Sequence, residues 1–260
     1  MIVNLSISDS NLSHAWARAF LATLEKGGDT RHPSVIIINN LDVGLPLEDM
    51  NIRNRLDQEL GKHDLNLCHT VSNTIFPLSM WRADSPNDLI DLFNRYEKAW
   101  SGIKKCPANR NGVYFRRLTN YQPKDSTANP VNQLQHVIDT YRSGNHRKSA
   151  LQASIFDPTR DHSNQRQKGF PCMQQIAFTP LPNDKFSITG IYATQLQFEK
   201  AYGNYLGLYW LGRFMAKHLG LTLTQVICMS TVVQRSHHEK TKELLTPFAQ
   251  DIRAMLPVSS

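Results

Sequence analysis

Cys172, which follows a proline in the segment GFPCMQQIAF (169–178), is the residue of this chain best suited to nucleophilic chemistry. A cysteine attacks as its thiolate, and nearby cations favour that form. Arg166 and Lys168 precede it in the chain and could supply such cations. The same segment is also typical of a buried strand, where a free cysteine is an ordinary small apolar residue. Both interpretations, nucleophile and core residue, are open at this point.

The composition indicates a folded protein of the α+β or α/β class. The chain has 260 residues, 40% of them hydrophobic, which is enough for one large core. We expect no membrane span, because no apolar run reaches about 18 residues. The N-terminal segment lacks the basic start and the cleavage site of a signal peptide. The four cysteines have no metal-ligand spacing and indicate free thiols in a reducing cytoplasm.

The net charge of +7 favours an anionic partner. A nucleotide, a polyanionic cofactor and nucleic acid all fit this charge, and so does a plain solvated surface. The standard nucleic-acid-binding motifs are missing from the sequence, so we expect no nucleic acid partner.

Apolar spacing predicts the elements that must position these residues. Helices are predicted around residues 12–24, 86–100, 131–145 and 204–221, with Ser13 as a cap and Gly27–Gly28, Gly144 and Gly220 as stops. Strands are predicted at 34–42, 149–156, 171–181, 185–197 and 224–233. Residues 45–65 have a mixed pattern, and 157–169 form a predicted polar loop. We expect one domain over residues 1–260, because no segment is typical of a linker.

The order of these pieces resembles the thymidylate synthase family. That family has a Pro-Cys pair opening a strand, a second strand with a Tyr, and a buried helix with an Asn at its start. Here these are Pro171–Cys172, Tyr192 and Asn204, followed by the strand at 224–233. The resemblance runs roughly from residue 70 to residue 240. It implies an α+β, thymidylate synthase-like fold with a mixed β-sheet packed with helices, in a sheet-to-sheet homodimer.

The resemblance also implies a reaction. The Cys172 thiolate would add to C6 of a pyrimidine nucleotide or nucleoside, which makes C5 a nucleophile. C5 would then take a one-carbon unit from a folate, 5,10-methylenetetrahydrofolate. Tyr114 and Trp100 match family residues that line the site, although both are also ordinary core residues by type.

Further residues are assigned to substrate binding by the resemblance. Asn204 would hydrogen-bond the pyrimidine edge, since an amide offers a donor and an acceptor, or it could cap its helix. Thr194 and Gln195 lie on the strand that binds phosphate in the family. Arg147 and Lys148 match the arginine pair that reaches the partner subunit's phosphate, or they form a surface pair.

The sequence departs from the family at several functional positions. Met173 replaces the His after the nucleophile, and Pro77 stands where the family has its catalytic Glu. The phosphate strand reads Tyr192-Ala193-Thr194-Gln195 and lacks its Arg. Val232-Val233-Gln234 replaces the His-X-Tyr pair that holds the sugar, and Gln197 replaces the Asp that helps to bind folate.

These losses make ordinary thymidylate synthesis a poor expectation. Losing a positioned acid or base typically costs about 10²–10⁴-fold in rate. Three functions therefore compete: C5 modification of a different pyrimidine substrate, nucleotide binding without catalysis, and a different reaction in the same pocket.

Overall fold

The computed structural model describes residues 5–25, 32–124, 126–164, 169–236 and 242–257. The strands in these ranges are β1 (Leu5–Asp9), β2 (His32–Ile38), β3 (Gln152–Ser154), β4 (Met173–Leu181), β5 (Lys185–Leu196) and β6 (Thr222–Gln234). The helices are α1 (Leu12–Glu25), α2 (Met50–Lys62), α3 (Cys68–Ile75), α4 (Asp88–Lys105), α5 (Tyr114–Thr119), α6 (Gln133–Arg142), α7 (Pro158–Asp161), α8 (Ala201–Leu219) and α9 (Lys242–Met255). Short 3-10 segments lie at Leu78–Met80, Pro107–Asn109 and Lys148–Ala150.

The strands form one six-stranded mixed sheet in the order β1-β2-β6-β5-β4-β3. The β1–β2 and β5–β6 pairs are parallel, and the remaining neighbours are antiparallel. Helices pack against this sheet, so the prediction of an α+β protein with a mixed sheet and packed helices is confirmed. Asn183 and Asp184, both with positive φ, make the tight turn that joins β4 to β5.

Helix α8 is buried along most of its length and lies on β5 and β6. Its apolar residues surround the helix axis, which is the pattern of a helix covered on every side. A Cβ at Gly212 would lie 2.9 Å from Ile188 Cγ2, so this side of α8 sits directly on the sheet. Gly220 ends the helix with φ of 69°, a left-handed conformation that glycine adopts without strain, as the sequence predicted.

Helix α3 crosses the opposite side of α8 at close range because two glycines of α8 face it. A Cβ on Gly203 would lie 2.7 Å from the backbone oxygen of Cys68, and one on Gly207 would lie 2.9 Å from that of Ser72. A methyl group at either position collides with backbone, which cannot rotate away. The two glycines therefore set the distance between the helices.

The same substitution at two glycines should give opposite results. We expect Gly207→Ala to destabilise the fold by about 1–3 kcal/mol, the usual cost of overpacking. Gly102→Ala is the control: Gly102 lies inside α4 with nothing within 4 Å of an added Cβ, so alanine should stabilise by about 0.5–1 kcal/mol. Urea unfolding of the three proteins measures both effects, and an unchanged Gly207→Ala midpoint would contradict the packing argument.

Some local expectations need correction. Asn11, not Ser13, caps α1: its side chain accepts hydrogen bonds from the backbone N–H groups of Ser13 and His14. Ser13 Oγ instead contacts Tyr202 Oη at 2.7 Å. Part of the segment 45–65 forms α2, capped by Asp49, and the predicted loop 157–169 contains α7. The predicted stop at Gly27–Gly28 lies outside the described residues.

The sheet face turned away from α8 carries a separate apolar group. Its members are neighbours on three adjacent strands: Val35 and Ile37 of β2, Ile227 and Met229 of β6, and Ile191 of β5. Met229 is 41% exposed, and the other four are half-buried. We call these five side chains the outer face.

Among the described residues, no helix combines the length and the apolar character needed to cross a membrane.

Candidate functional site

Three elements meet at one edge of the sheet. The backbone N–H of Ala193, near the end of β5, donates to the carbonyl oxygen of Cys172 at 2.8 Å. Because β4 and β5 are antiparallel, the start of β4 lies beside the end of β5. Lys200 N donates to Leu196 O at 3.0 Å, so the chain turns there into α8. Cys172 and the first residues of α8 therefore share this edge.

Tyr114 holds the backbone on both sides of the thiol. Its Oη accepts hydrogen bonds from the backbone N–H of Cys172 at 3.3 Å and of Met173 at 3.4 Å. Gln174 Nε2 donates to the carbonyl oxygens of Pro171 and Cys172, each at 3.1 Å. The peptide groups around Cys172 are thus fixed by side chains as well as by the sheet. The structure brings Cys172 and Tyr114 together.

Burial and charge act on Cys172 in opposite directions. The side chain is half-buried, and this burial raises the pKa of the thiol, while the ammonium of Lys200 lowers it. Burial prevails, so the pKa lies above that of an exposed cysteine. Burial also raises the pKa of Tyr114, and a negative charge on Cys172 would raise it further. Burial therefore favours the protonated form of both groups.

A buried ion pair supports the segment before Cys172. Arg117 donates from Nη1 and Nη2 to the two carboxylate oxygens of Asp161, both at 2.9 Å, and from Nη1 to Ile155 O at 2.8 Å. Its guanidinium lies 5.3 Å from the centre of the Phe170 ring, which lies 5.1 Å from the Tyr114 ring. These contacts connect the ion pair with the tyrosine that holds Cys172.

Adjacent arginines on α5 should differ sharply in their effect on stability. We expect Arg117→Met to destabilise by about 3–5 kcal/mol, because it leaves the Asp161 carboxylate buried without the guanidinium of Arg117. Arg116→Met is the matched control: Arg116 pairs with Glu97, whose side chain is 60% exposed, so its loss should cost about 1 kcal/mol or less. Guanidinium unfolding checks both, and equal losses would show that burial of the Arg117 pair has no special effect.

Gln195 points into the protein. It is 1% exposed, and its Oε1 accepts hydrogen bonds from Ser230 Oγ at 2.8 Å and Cys228 Sγ at 3.5 Å. Side chains of a strand normally alternate between its buried and its exposed face. This alternation is broken in β5, because Ala193 and Thr194 are two consecutive residues that are not buried. Gln195 therefore returns to the inner face of β5, while Thr194 stays half-buried at the edge.

Several buried polar atoms near Gln195 have no hydrogen-bond partner among the described residues. They are Gln195 Nε2, Gln197 Nε2, Tyr192 Oη and Tyr205 Oη. Burial raises the pKa of Tyr192. Negative charges on the nearby Cys228, Tyr114, Tyr205 and Cys172 would raise this pKa further. The interior behind Cys172 is thus polar for a protein core.

Asn204 does not cap α8. The cap position belongs to Lys200, whose carbonyl oxygen accepts from Asn204 N at 2.9 Å. Asn204 is 6% exposed, and no hydrogen bond to its side-chain amide is found within the described part of the chain. The capping interpretation is therefore wrong, and the amide has a donor and an acceptor to offer to a ligand.

The remaining predicted binding residues, Arg147, Lys148 and Trp100, lie on other segments of the chain. Arg147 and Lys148 are exposed and precede β3. Since Gln152 pairs with Ala177, this pair lies towards the end of β4 that is opposite to Cys172. Trp100 lies on α4 with the Arg116 guanidinium 4.8 Å from its ring centre.

The cations expected near Cys172, Arg166 and Lys168, lie outside the described residues. Sequence reasoning missed Lys200, although its place directly before the helix that carries Asn204 could have drawn attention to it. Pro77, where the resemblance implies a Glu, follows Phe76, which is fully buried among the rings of Trp81, Phe115 and Phe214.

The described residues contain no group of three or more His, Cys, Asp or Glu side chains that could hold a metal ion. No protein-family model matches the chain, and no curated protein matches it either. An assignment of function therefore rests on the chemistry of the residues around Cys172.

Proposed function

We propose that this protein is a divergent enzyme of the thymidylate synthase type. It would modify C5 of a pyrimidine nucleotide or nucleoside through addition of Cys172 to C6. One observation carries the proposal: Cys172 is half-buried, its backbone N–H donates to Tyr114, and it lies at the edge of the sheet where α8, the helix of Asn204, begins. Thiol, phenol and amide are the groups that such a reaction needs for attack, positioning and recognition of the base.

The reaction begins when the Cys172 thiolate forms a carbon–sulfur bond to C6 and the ring electrons move to C5. A folate such as 5,10-methylenetetrahydrofolate would supply the one-carbon unit: its carbon would bond to C5 as its bonds to the folate nitrogens break, so that tetrahydrofolate leaves and the C5 proton passes to solvent. Addition of water to the resulting methylene group, with expulsion of the thiolate from C6, would restore the ring double bond, give a hydroxymethyl group on C5 and free the enzyme. Tyr114 would keep Cys172 in position throughout, since its oxygen already accepts two backbone N–H groups at this point.

Substrate recognition would use the side chains that have hydrogen-bonding capacity to spare. The Asn204 amide would pair with the polar edge of the pyrimidine. Thr194, half-buried at the end of β5, would lie nearer the sugar or its phosphate. Gln195 would contribute from the interior side of the site, because its side-chain oxygen accepts a hydrogen bond from the buried Ser230.

A covalent trap tests the proposed attack. A 5-fluoropyrimidine nucleotide such as 5-fluoro-dUMP should form an adduct at Cys172 in the presence of methylenetetrahydrofolate, because fluorine cannot leave C5 as a proton does. Intact mass spectrometry with peptide mapping detects the adduct and its position. Cys172→Ser should abolish it. Cys106→Ser, which changes an exposed thiol, should leave it unchanged.

We further propose that the protein is a homodimer joined through the outer face. This face has apolar side chains on three adjacent strands, and a two-fold axis would place each copy of it against the other. Such a dimer would also give Arg147 and Lys148 a route to the partner's site. Their position away from Cys172 in their own chain is consistent with that role.

A single charge should separate the two copies. Met229 lies within the outer face, so Met229→Lys should convert the dimer to a monomer by burying an unpaired ammonium at the interface. Ile90→Lys is the matched control, since Ile90 is 59% exposed on α4, and this variant should remain dimeric. Light scattering after size exclusion measures both masses. A monomeric wild-type protein would contradict the proposed dimer.

Two observations favour a second function, nucleotide binding without catalysis. Aromatic rings surround Phe76, the residue before Pro77, where the family resemblance implies a catalytic Glu, and burial raises the pKa of Cys172. If this function is the real one, the fluoropyrimidine forms no adduct. Calorimetry would then show that Cys172→Ser binds the nucleotide with unchanged affinity.

A further inference from the structure

Ionisable groups of three elements act on Cys172. Tyr114 of α5 contacts its backbone N–H, while Tyr192 of β5 and Lys200, which directly precedes α8, lie near enough for their charges to couple with the thiol. Tyr114 and Tyr192 are neutral at physiological pH because burial raises their pKa values. The ammonium of Lys200 is the positive charge in this group of described residues. The cluster thus joins one nucleophile to one cation.

The backbone geometry explains why Lys200 stays at this position. Its N–H donates to Leu196 O and its carbonyl oxygen accepts from Asn204 N, so the residue links the last residue of β5 to the first turns of α8. The carbonyl oxygen of Cys172 accepts a hydrogen bond from the N–H of Ala193, which lies on β5 three residues before Leu196. A lysine stem is long enough to lie along this edge, and Lys200 is half-buried where surface lysines are usually solvated.

The charges at this edge are coupled. Burial lowers the pKa of Lys200, whereas Glu199 and a Cys172 thiolate raise it. In return, the ammonium lowers the pKa of Cys172 against the effect of burial. Glu199 is also engaged by Ser236, whose hydroxyl donates to its carboxylate. A charged Lys200 therefore favours the thiolate.

We propose that Lys200 stabilises the thiolate of Cys172 and so supplies the activating positive charge for its nucleophilic attack. Lys200 acts through Cys172 and need not touch the substrate. The effect on the thiolate can be measured in the free protein, while its part in catalysis rests on the proposed function. The role is new for this position, since the sequence suggested Arg166 and Lys168 as the activating cations.

The pH profile of alkylation tests the proposal directly. All proteins carry Cys106→Ser, which removes the exposed thiol, while Cys68 and Cys228 are buried. Iodoacetamide reacts with the thiolate, so its rate at Cys172 over the range from about pH 6 to about pH 10 reports the thiol's ionisation. Intact mass and peptide mapping follow the reaction.

Removing the ammonium should slow the reaction at neutral pH. We expect Lys200→Met, which keeps the apolar stem, to lower the rate at pH 7 by about three- to tenfold and to shift the profile to higher pH. Lys200→Arg should restore the wild-type profile, because the charge is retained. Lys185→Met should leave the profile unmoved, because Lys185 is exposed and pairs with Leu181 at the other end of β4.

Two results would overturn the proposal: a Lys200→Met profile that coincides with wild type, or a profile that shifts equally in Lys200→Arg. If Lys200→Met does not fold by circular dichroism, Lys200→Gln serves in its place and the same outcomes apply. The fluoropyrimidine experiment separates this inference from the proposed function. An adduct together with an unshifted profile would refute the role of Lys200 alone. A shifted profile without an adduct would keep Lys200 as the thiolate's partner and refute pyrimidine attack.

Discussion

The packing of α8 determines where every other part of the site can lie. Its side chains are apolar around the whole circumference, so water must be excluded from all sides. The sheet covers one side, where Gly212 meets Ile188, and α3 covers the other, where Gly203 and Gly207 let the backbones approach. Both contacts fix the depth and rotation of α8. The first residues of the helix then reach the sheet edge in a single orientation, which sets Lys200 and Asn204 relative to Cys172.

Local signals explain which elements the sequence could predict. The strands β4 and β5 have β-branched and aromatic residues on either side of a short polar turn, and α8 ends at a glycine in the left-handed conformation that a C-terminal cap requires. Helix α2 was not predicted, because charged residues interrupt its apolar positions Ile52, Leu56 and Leu60. The strand order follows from pairings between distant segments, which no local pattern encodes.

The same limit applies to the site. The resemblance to a known family drew attention to Cys172, Tyr114 and Asn204, and the structure joins the first two by hydrogen bonds. The inward direction of Gln195 depends on two consecutive outward residues in β5, so simple alternation could not predict it. Lys200 was missed because it matches no family residue; its importance comes from the turn between β5 and α8, which is a property of the folded chain.

Burial at this edge has two effects on the thiol that must be weighed together. Taking Cys172 out of water disfavours the thiolate, which by itself would make the residue inert. The same exclusion of water lowers the local dielectric constant, so one ammonium nearby acts more strongly than it would at the surface. A substrate that fills the edge would remove still more water from both groups and strengthen their mutual attraction. Without the arginine and the glutamate that the family resemblance implies, a single cation that stays close and desolvated is the group that favours ionisation of this cysteine.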